Sequence, residues 1–239
     1  MYDDKQPERA IVIPKGKFTL WFENFWYHYK WTTIAVLAGL FILLVCILQT
    51  CETDKTDVVM VYAGPTQLTA EQSDQISLLL SNKLPEDYDG NGERLAVLSS
   101  YWIYSEEQIK ALPTDAVDRP YNTSQYSTYS NYLQTGESSI YLLDPWLFEE
   151  LKNTQSSPLC PLSDVLDEVP EDSLDGYGVR LGDTELYQKY KVLQELPEDT
   201  VVCLFRQYVV GKSSKDKFYQ FQADTFAELV KESQTSETN

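Results

Sequence analysis

The sequence predicts an α/β fold: a single transmembrane helix followed by one extracytoplasmic layered α/β domain with a mostly parallel or mixed sheet. The first observation behind this prediction is that residues 31–51 contain no charged side chain. The second is that short β-branched runs alternate with capped helical patterns throughout residues 52–232. The third is a hydrophobic content of 43% over 239 residues, which is enough to build a packed core.

Residues 31–51 have the length and composition of a membrane span. The stretch 34–48 within them is almost wholly aliphatic. At 1.5 Å rise per residue, a helix of this length covers roughly 30 Å, the thickness of the hydrocarbon core. No small-x-small cleavage site follows the apolar run, so we expect a retained signal-anchor and a single-pass protein rather than a cleaved signal peptide.

The distribution of charge predicts the orientation of this helix. Residues 1–51 carry five basic and four acidic residues, whereas the rest of the chain carries 14 basic and 33 acidic residues, a formal net charge of −19. The bias of Lys and Arg places residues 1–30, the predicted cytoplasmic tail, inside the cell and the C-terminal domain outside. So acidic a domain lacks the basic face that a nucleic-acid binder needs.

The stretch 21–31 is unusually aromatic and directly precedes the apolar run. Amphipathic aromatic rings settle at the depth of the lipid headgroups, so this stretch is expected to lie along the interface before the chain turns into the membrane. His28, which has no partner ligand nearby, belongs to this rim rather than to a metal or haem site. The predicted membrane-interface residues are Trp21, Phe22, Phe25, Trp26, Tyr27, Tyr29 and Trp31.

The first half of the exported domain shows two strand–helix pairs. Residues 57–64 and 94–104 are apolar runs typical of strands. Each is followed by a helical pattern that opens on a capping-box spacing, Thr69 with Gln72 in the first and Ser105 with Gln108 in the second. Prolines stand where the two helices are expected to end.

The second half continues the alternation. Residues 138–144 predict a third strand, after which Asp144 caps a helix with proline at its first position. Residues 200–210 form the strongest β-run in the chain, and a helix with regularly spaced phenylalanines follows it. We expect residues 233–239 to be a disordered tail.

A tyrosine-rich segment, residues 121–137, precedes the third strand. Tyr126, Tyr129 and Leu133 fall on one helical stripe, which most often packs against a sheet. The alternative is that Tyr126 and Tyr129 border a cleft and contact a ligand, since tyrosine is common at recognition surfaces.

The stretch DYDGNGE, residues 87–93, resembles the beginning of a calcium loop. Asp87, Asp89 and Asn91 occupy the first three ligand positions and a glycine follows. Arg94 and Leu98 stand where such a loop has an apolar residue and a bidentate glutamate. A polar turn with glycine at positive φ is therefore the favoured interpretation, and a weak Ca²⁺ site is the alternative; no other cofactor is predicted.

The exported domain offers no clear catalytic constellation. It contains no histidine, which excludes a histidine-dependent triad within it, and the acidic run 162–176 has the character of a solvated loop. Cys160 and Cys203 are compatible with either a disulfide or two buried free thiols. The domain is therefore not expected to be an enzyme.

Three segments together resemble a group of single-pass membrane proteins of Gram-positive anaerobic bacteria whose function is not characterised: FENFWYHYKW, the D-x-D-G-N-G turn, and SIYLLDPWLFEEL. Residues 138–168 are also similar to one lobe of an extracellular solute-binding protein.

The anchor, the acidic exported domain and the lack of catalytic groups favour one hypothesis. It is an extracytoplasmic binding or accessory domain on the lipid bilayer, with a protein partner in a transport or envelope complex. The alternative is a cell-envelope hydrolase that uses carboxylates or a hydroxyl nucleophile.

Overall fold

The computed structural model of the chain describes residues 16–51, 56–206 and 216–231. The predicted disordered tail, 233–239, lies outside these residues. By its internal contacts the chain divides into two units, Met1–Asp54 and Lys55–Asn239. Each unit is considered by itself below.

The N-terminal unit is built on one long helix, α1 (Lys17–Cys51). No proline interrupts this stretch, and Gly39 is its one glycine, so the backbone continues without a break from the aromatic segment into the apolar segment. The expected turn between the two is therefore absent from the structure. The part of α1 that is apolar and long enough to cross a membrane is Phe25–Cys46, 22 residues, and none of it is buried within the protein.

This apolar stretch begins six residues before the predicted 31–51 span and ends five residues before its end. It thus includes five of the seven aromatic residues predicted to lie at the membrane interface. A helix of this kind near the N-terminus is compatible with a single-pass membrane anchor or a signal sequence.

The second unit alternates strands and helices. In the part of the chain that the structure describes, its elements are β1 (Val58–Gly64), α2 (Ala70–Ser81), β2 (Ala96–Trp102), α3 (Glu106–Ala111), α4 (Arg119–Thr135), β3 (Ile140–Leu143), α5 (Pro145–Lys152), β4 (Gly178–Arg180), α6 (Glu185–Lys189), β5 (Val201–Leu204) and α7 (Lys217–Lys231).

The strands form one mixed sheet in the order β2-β1-β3-β5-β4. The pairs β1–β2 and β1–β3 are parallel, whereas β3–β5 and β4–β5 are antiparallel. The mixed α/β architecture predicted from the alternation of strand and helix patterns is thus confirmed. The parallel part has the crossover connections that parallel strands require.

Both faces of the sheet are covered by helices. Met60, Leu142 and Val202 point to one face, where they pack with Leu80 of α2 and Phe226 of α7. On the opposite face, the core comprises Val61, Ala63, Tyr141, Leu143 and Cys203 of the strands, Tyr129 of α4, and Leu147 and Phe148 of α5. Burial on both faces explains why the central strands are continuous apolar runs instead of alternating ones.

The helix starts follow the predicted caps. Thr69 and Gln72 form both halves of a capping box at α2, and Ser105 and Gln108 do so at α3. Asp144 caps α5, with proline at the first position. The predicted strand 200–210 is shorter in the structure, since β5 ends at Leu204 and residues 207–210 lie outside the described part of the chain.

Candidate functional site

The first candidate region lies at the carboxyl ends of the parallel strands β1 and β3, where the direction of the chain connections reverses. The chain leaves β1 through α2 to reach β2 on one side, then returns through α3 and α4 to β3 on the other side of β1. The loops after β1 and β3 therefore diverge from adjacent strands. Such a switch point is where open α/β sheets bind ligands.

Asp144 stands at this switch point, directly after β3. Its backbone N–H donates to the carbonyl of Ala63 at the end of β1, 2.8 Å away. One carboxylate oxygen accepts from the backbone N–H of Trp146 at 3.1 Å, and the other accepts from Nε2 of Gln108 at 3.0 Å. The side chain is mostly buried, and burial raises the pKa of Asp144, with the negative charge of Asp199 acting in the same direction.

Tyr62 brings a hydroxyl to the same edge. Its Oη accepts from the backbone N–H of Thr66 at 3.2 Å, which leaves the hydroxyl proton able to donate. Burial raises the pKa of Tyr62, and the charges of Asp144 and Asp199 raise it further against the lowering effect of the Thr66 bonds. The carboxyl ends of β1 and β3 thus bring together the neutral hydroxyl of Tyr62 and the carboxylate of Asp144, which caps helix α5.

Gly64 is the residue that permits this arrangement. A Cβ at position 64 would lie 2.6 Å from Oη of Tyr62, closer than two such atoms approach. The absence of a side chain lets the loop after β1 fold over the tyrosine hydroxyl.

The D-x-D-G-N-G turn is the second candidate region. Gly90 and Gly92 have φ of 73° and 94°, so the predicted turn with glycines at positive φ is confirmed. Asp87 accepts from the N–H groups of both glycines, at 2.8 and 2.7 Å, and these bonds, that of Gly92 first, lower the pKa of Asp87. Asp89 accepts in turn from the N–H of Asn91 at 2.9 Å.

The structure adds a third acid, Asp57, to this turn. It precedes β1 and is 1% exposed. Its oxygens accept from the N–H groups of Tyr88, Asp89 and Leu95. One oxygen each from Asp57, Asp87 and Asp89 lie within 4.8 Å of one another, a spacing at which three carboxylates can share a cation.

Asp57 was missed at the sequence level because it lies about 30 residues before the turn, and no local motif joins the two. Asn91, the third predicted ligand, directs its Oδ1 to the N–H of Glu93 at 2.7 Å. Backbone N–H groups donate hydrogen bonds to all three carboxylates, so the conformation of the turn does not require a bound ion. Binding of Ca²⁺ here stays a prediction.

The two tyrosines predicted as ligand contacts lie in different environments. Tyr129 is 2% exposed and packs against the sheet, as the stripe interpretation predicts, so it offers no surface to an external ligand. Tyr126 is half-buried; its ring stacks on Trp146 and its hydroxyl donates to Glu150 at 3.0 Å. A ligand contact by Tyr126 stays a prediction.

The aromatic residues of α1 form stacked pairs along one helix face. The rings of Trp21 and Phe25 are 5.6 Å apart and those of Phe25 and Tyr29 are 5.4 Å apart. Trp21, Tyr29 and Trp31 are exposed on the helix surface. A stack of exposed aromatic rings at the N-terminal end of the apolar part of α1 has the composition of a membrane interface.

Cys160 and Cys203 are both free thiols buried on opposite faces of the sheet. The sequence was compatible with either a disulfide or two buried free thiols, and the structure shows two buried free thiols. Burial raises the pKa of each.

Comparison of the chain with protein-family models, curated proteins and solved structures gives no match.

Proposed function

We propose that this chain is a single-pass membrane protein whose C-terminal α/β unit lies outside the cytoplasm and binds a protein partner in a transport or envelope complex. The observation that carries the proposal is the Phe25–Cys46 stretch of α1. It has 22 residues, is long and apolar enough to cross a bilayer, and buries nothing within the protein. Such a helix is stable only where lipid or another protein replaces water.

The orientation rests on charge. Lys17 and three basic residues before it precede the Phe25–Cys46 stretch, and Lys30 lies near the N-terminal end of that stretch, whereas the chain after α1 has a formal net charge of −19. Lys and Arg beside a span are retained on the cytoplasmic side. An acidic domain outside the cell then remains soluble and attracts basic partners.

A binding role is favoured over the alternative of an envelope hydrolase by the state of Asp144. This is the buried carboxylate at the switch point, but both of its oxygens are engaged, by the N–H of Trp146 and the amide of Gln108. A general acid or base must instead reach the proton of a substrate. Asp144 therefore serves to hold α3 and α5 against the sheet.

Protease accessibility tests the proposal. Protease added to intact cells should digest the C-terminal unit and leave a short fragment that contains the N-terminus and α1. As the control, the unit should be digested to the same extent after lysis, while a cytoplasmic marker is digested only then. Protection of the C-terminal unit in intact cells would refute the proposed orientation.

The mass of the membrane-bound protein separates an anchor from a cleaved signal sequence. A retained anchor predicts the full 27.5 kDa in the membrane fraction, resistant to extraction at high salt or high pH. A shorter product that begins near residue 52 and is released from the membrane would contradict anchoring.

A further inference from the structure

The strand β2 lies at one edge of the sheet, and alternate residues direct their backbone groups away from it. The carbonyl of Leu95 accepts from Asp57 before β1, and the N–H of Ile103 donates to Gly64 at the end of β1. Odd-numbered residues of β2 therefore face β1. The N–H and C=O groups of the even-numbered residues from Ala96 to Trp102 face outwards.

Helix α2 covers the first half of this edge with a row of serines. Ser81 Oγ accepts from the N–H of Ala96 at 2.8 Å and also lies 3.3 Å from its carbonyl. Ser77 Oγ accepts from the N–H of Leu98 at 3.0 Å, and Ser73 Oγ donates to its carbonyl at 3.2 Å. Serines four residues apart along a helix are spaced by about 6 Å, which nearly matches two strand residues, about 6.6 Å, so each serine meets the next outward group.

The cover stops where α2 begins. The next position in the serine row is Thr69, whose hydroxyl is the helix cap and accepts from Gln72. Beyond β2, the side chain of Asn122 pairs with both backbone groups of Tyr104, at 2.8 and 3.1 Å. Side chains therefore bond the outward backbone groups at both ends of the β2 edge.

Ser100 and Trp102 remain between the two covered parts. Their two outward N–H and two outward C=O groups make no hydrogen bond with any residue that the structure describes. Ser100 is exposed, and the indole of Trp102 is held by a 2.7 Å bond from its Nε1 to the carbonyl of Pro65. Two N–H and two C=O groups at strand spacing form a template with which an added strand can pair.

We propose that an extended segment of a partner polypeptide adds to the sheet as a strand beside Ser100–Trp102. A small groove, with room for about one water molecule, lies at the end of this edge; it is lined by Trp102, Tyr104, Val117, Asp118, Tyr121 and Asn122. The acid in the groove and the formal charge of −19 after residue 51 select a basic segment. The same charge opposes pairing with a second copy of this chain.

This inference rests on the proposed function, because it names the surface with which the exported domain binds its partner. Its test uses the purified full-length chain in detergent micelles and does not depend on topology. A negative result there would leave the anchor and its orientation intact, and a reversed topology in cells would leave the edge intact.

The probe is a short blocked peptide in which valine and lysine alternate. Its matched control has the same sequence and charge, but every backbone amide is N-methylated, which removes the donors of both strand edges. The first peptide should slow amide hydrogen exchange in the region of Ser100–Trp102. The second should bind at least about tenfold more weakly, since it can donate no backbone hydrogen bond to the edge of β2 and its methyl groups obstruct pairing.

The protein-side variant is Ser100→Pro, which removes an outward N–H at a position where an edge strand tolerates proline. It should reduce binding of the first peptide by about tenfold or more. Ser100→Ala keeps the N–H and should bind as the wild type does. If the proline variant does not fold, the comparison of the two peptides on the wild-type chain still tests whether a strand adds beside Ser100–Trp102.

Three results would overturn the proposal. One is equal binding of the two peptides, which would show attraction of charge without strand pairing. Another is no binding of either peptide. The third is a dimer of the chain that forms without peptide and is abolished by Ser100→Pro, which would assign the edge to a second copy.

Discussion

The titration of Asp87 can be followed through the two glycine N–H groups that donate to its carboxylate. The N–H groups of Gly92 and Gly90 lower its pKa, so its carboxylate stabilises the turn above the ordinary Asp pKa of about 3.9. That contribution is lost as the pH falls through the lowered pKa of the folded state. We expect the amide NMR signals of both glycines to shift together, with a midpoint below the ordinary value.

Asp87→Asn should remove this transition, and its single oxygen can accept from only one of the two N–H groups, because the carboxylate uses Oδ1 for Gly90 and Oδ2 for Gly92. A midpoint at or above the ordinary value in the wild type would contradict the bonds to Gly90 and Gly92.

The same turn provides a test of calcium binding. An ion shared by Asp57, Asp87 and Asp89 would raise the melting temperature in proportion to the logarithm of Ca²⁺ concentration above its dissociation constant. Asp89→Asn would weaken that dependence. A melting temperature independent of Ca²⁺ would leave the turn as one stabilised by backbone N–H groups alone.

Gly64 and Tyr62 should be strongly coupled. Gly64→Ala places a methyl group 2.6 Å from Tyr62 Oη and is expected to cost about 1–3 kcal/mol of unfolding free energy through overpacking. Tyr62→Phe removes that oxygen and should cost about 1 kcal/mol through the lost Thr66 bond. The double variant should be less destabilised than the two losses combined, by about 1 kcal/mol.

Urea unfolding of the four proteins measures this coupling. Strict additivity of the two changes would show that the methyl group clashes with something other than the hydroxyl.

At the scale of elements, α2 has two roles with separate side chains. Ile76 and Leu80 pack into the core, whereas Ser73, Ser77 and Ser81 satisfy the edge of β2. Ser81→Ala leaves the N–H of Ala96, a fully buried residue, without its acceptor. We expect a loss of about 1–3 kcal/mol in the free energy of unfolding.

Ser127→Ala is the matched control, because Ser127 lies on the exposed side of α4 and its hydroxyl donates to the carbonyl of Thr123 in the same helix. Its effect should stay within about 0.5 kcal/mol in the same urea titration. Equal effects of the two substitutions would mean that the bond to β2 adds no stability.

The elements that the sequence predicts are those with a local signal. The capping boxes at Thr69 and Ser105 and the Asp-Pro start of α5 depend on residues within one turn, and all three are present. Strand β4 has three residues and helix α6 has five, too few for any hydrophobic period to show, and neither was predicted. Strand β4 is held by its pairing with β5, and α6 begins at a Thr184 cap and packs Leu186 into the core.

At the scale of the molecule, alternation of strands and helices is sufficient to predict an α/β sheet but not its strand order. Nothing local indicates that β3 and β5 are antiparallel, because that depends on the path of the long connection between them. Contacts across distant parts of the chain were missed for the same reason, among them Asp57 with the turn at Asp87. The serines of α2 and the strand β2 are both present as local patterns in the sequence, but the hydrogen bonds between them are not predictable from either pattern.

The division of the chain into two units predicts that the second unit folds by itself. Both core clusters of the α/β unit consist of residues from Val58 onwards, and the described part of α1 contributes none of them. A fragment of residues 55–239 should therefore fold without the helix and remain in solution. Its melting temperature should lie within about 2–4 °C of that of the unit in the full chain, since no core contact is lost.

Circular dichroism and amide hydrogen exchange of the fragment measure this. Phe226→Ala in the same fragment is the control for sensitivity: it empties a fully buried site in α7 and should cost about 3–5 kcal/mol. A fragment that aggregates, or that lacks slow exchange in β1 and β3, would show that α1 is needed for the fold and is more than an anchor.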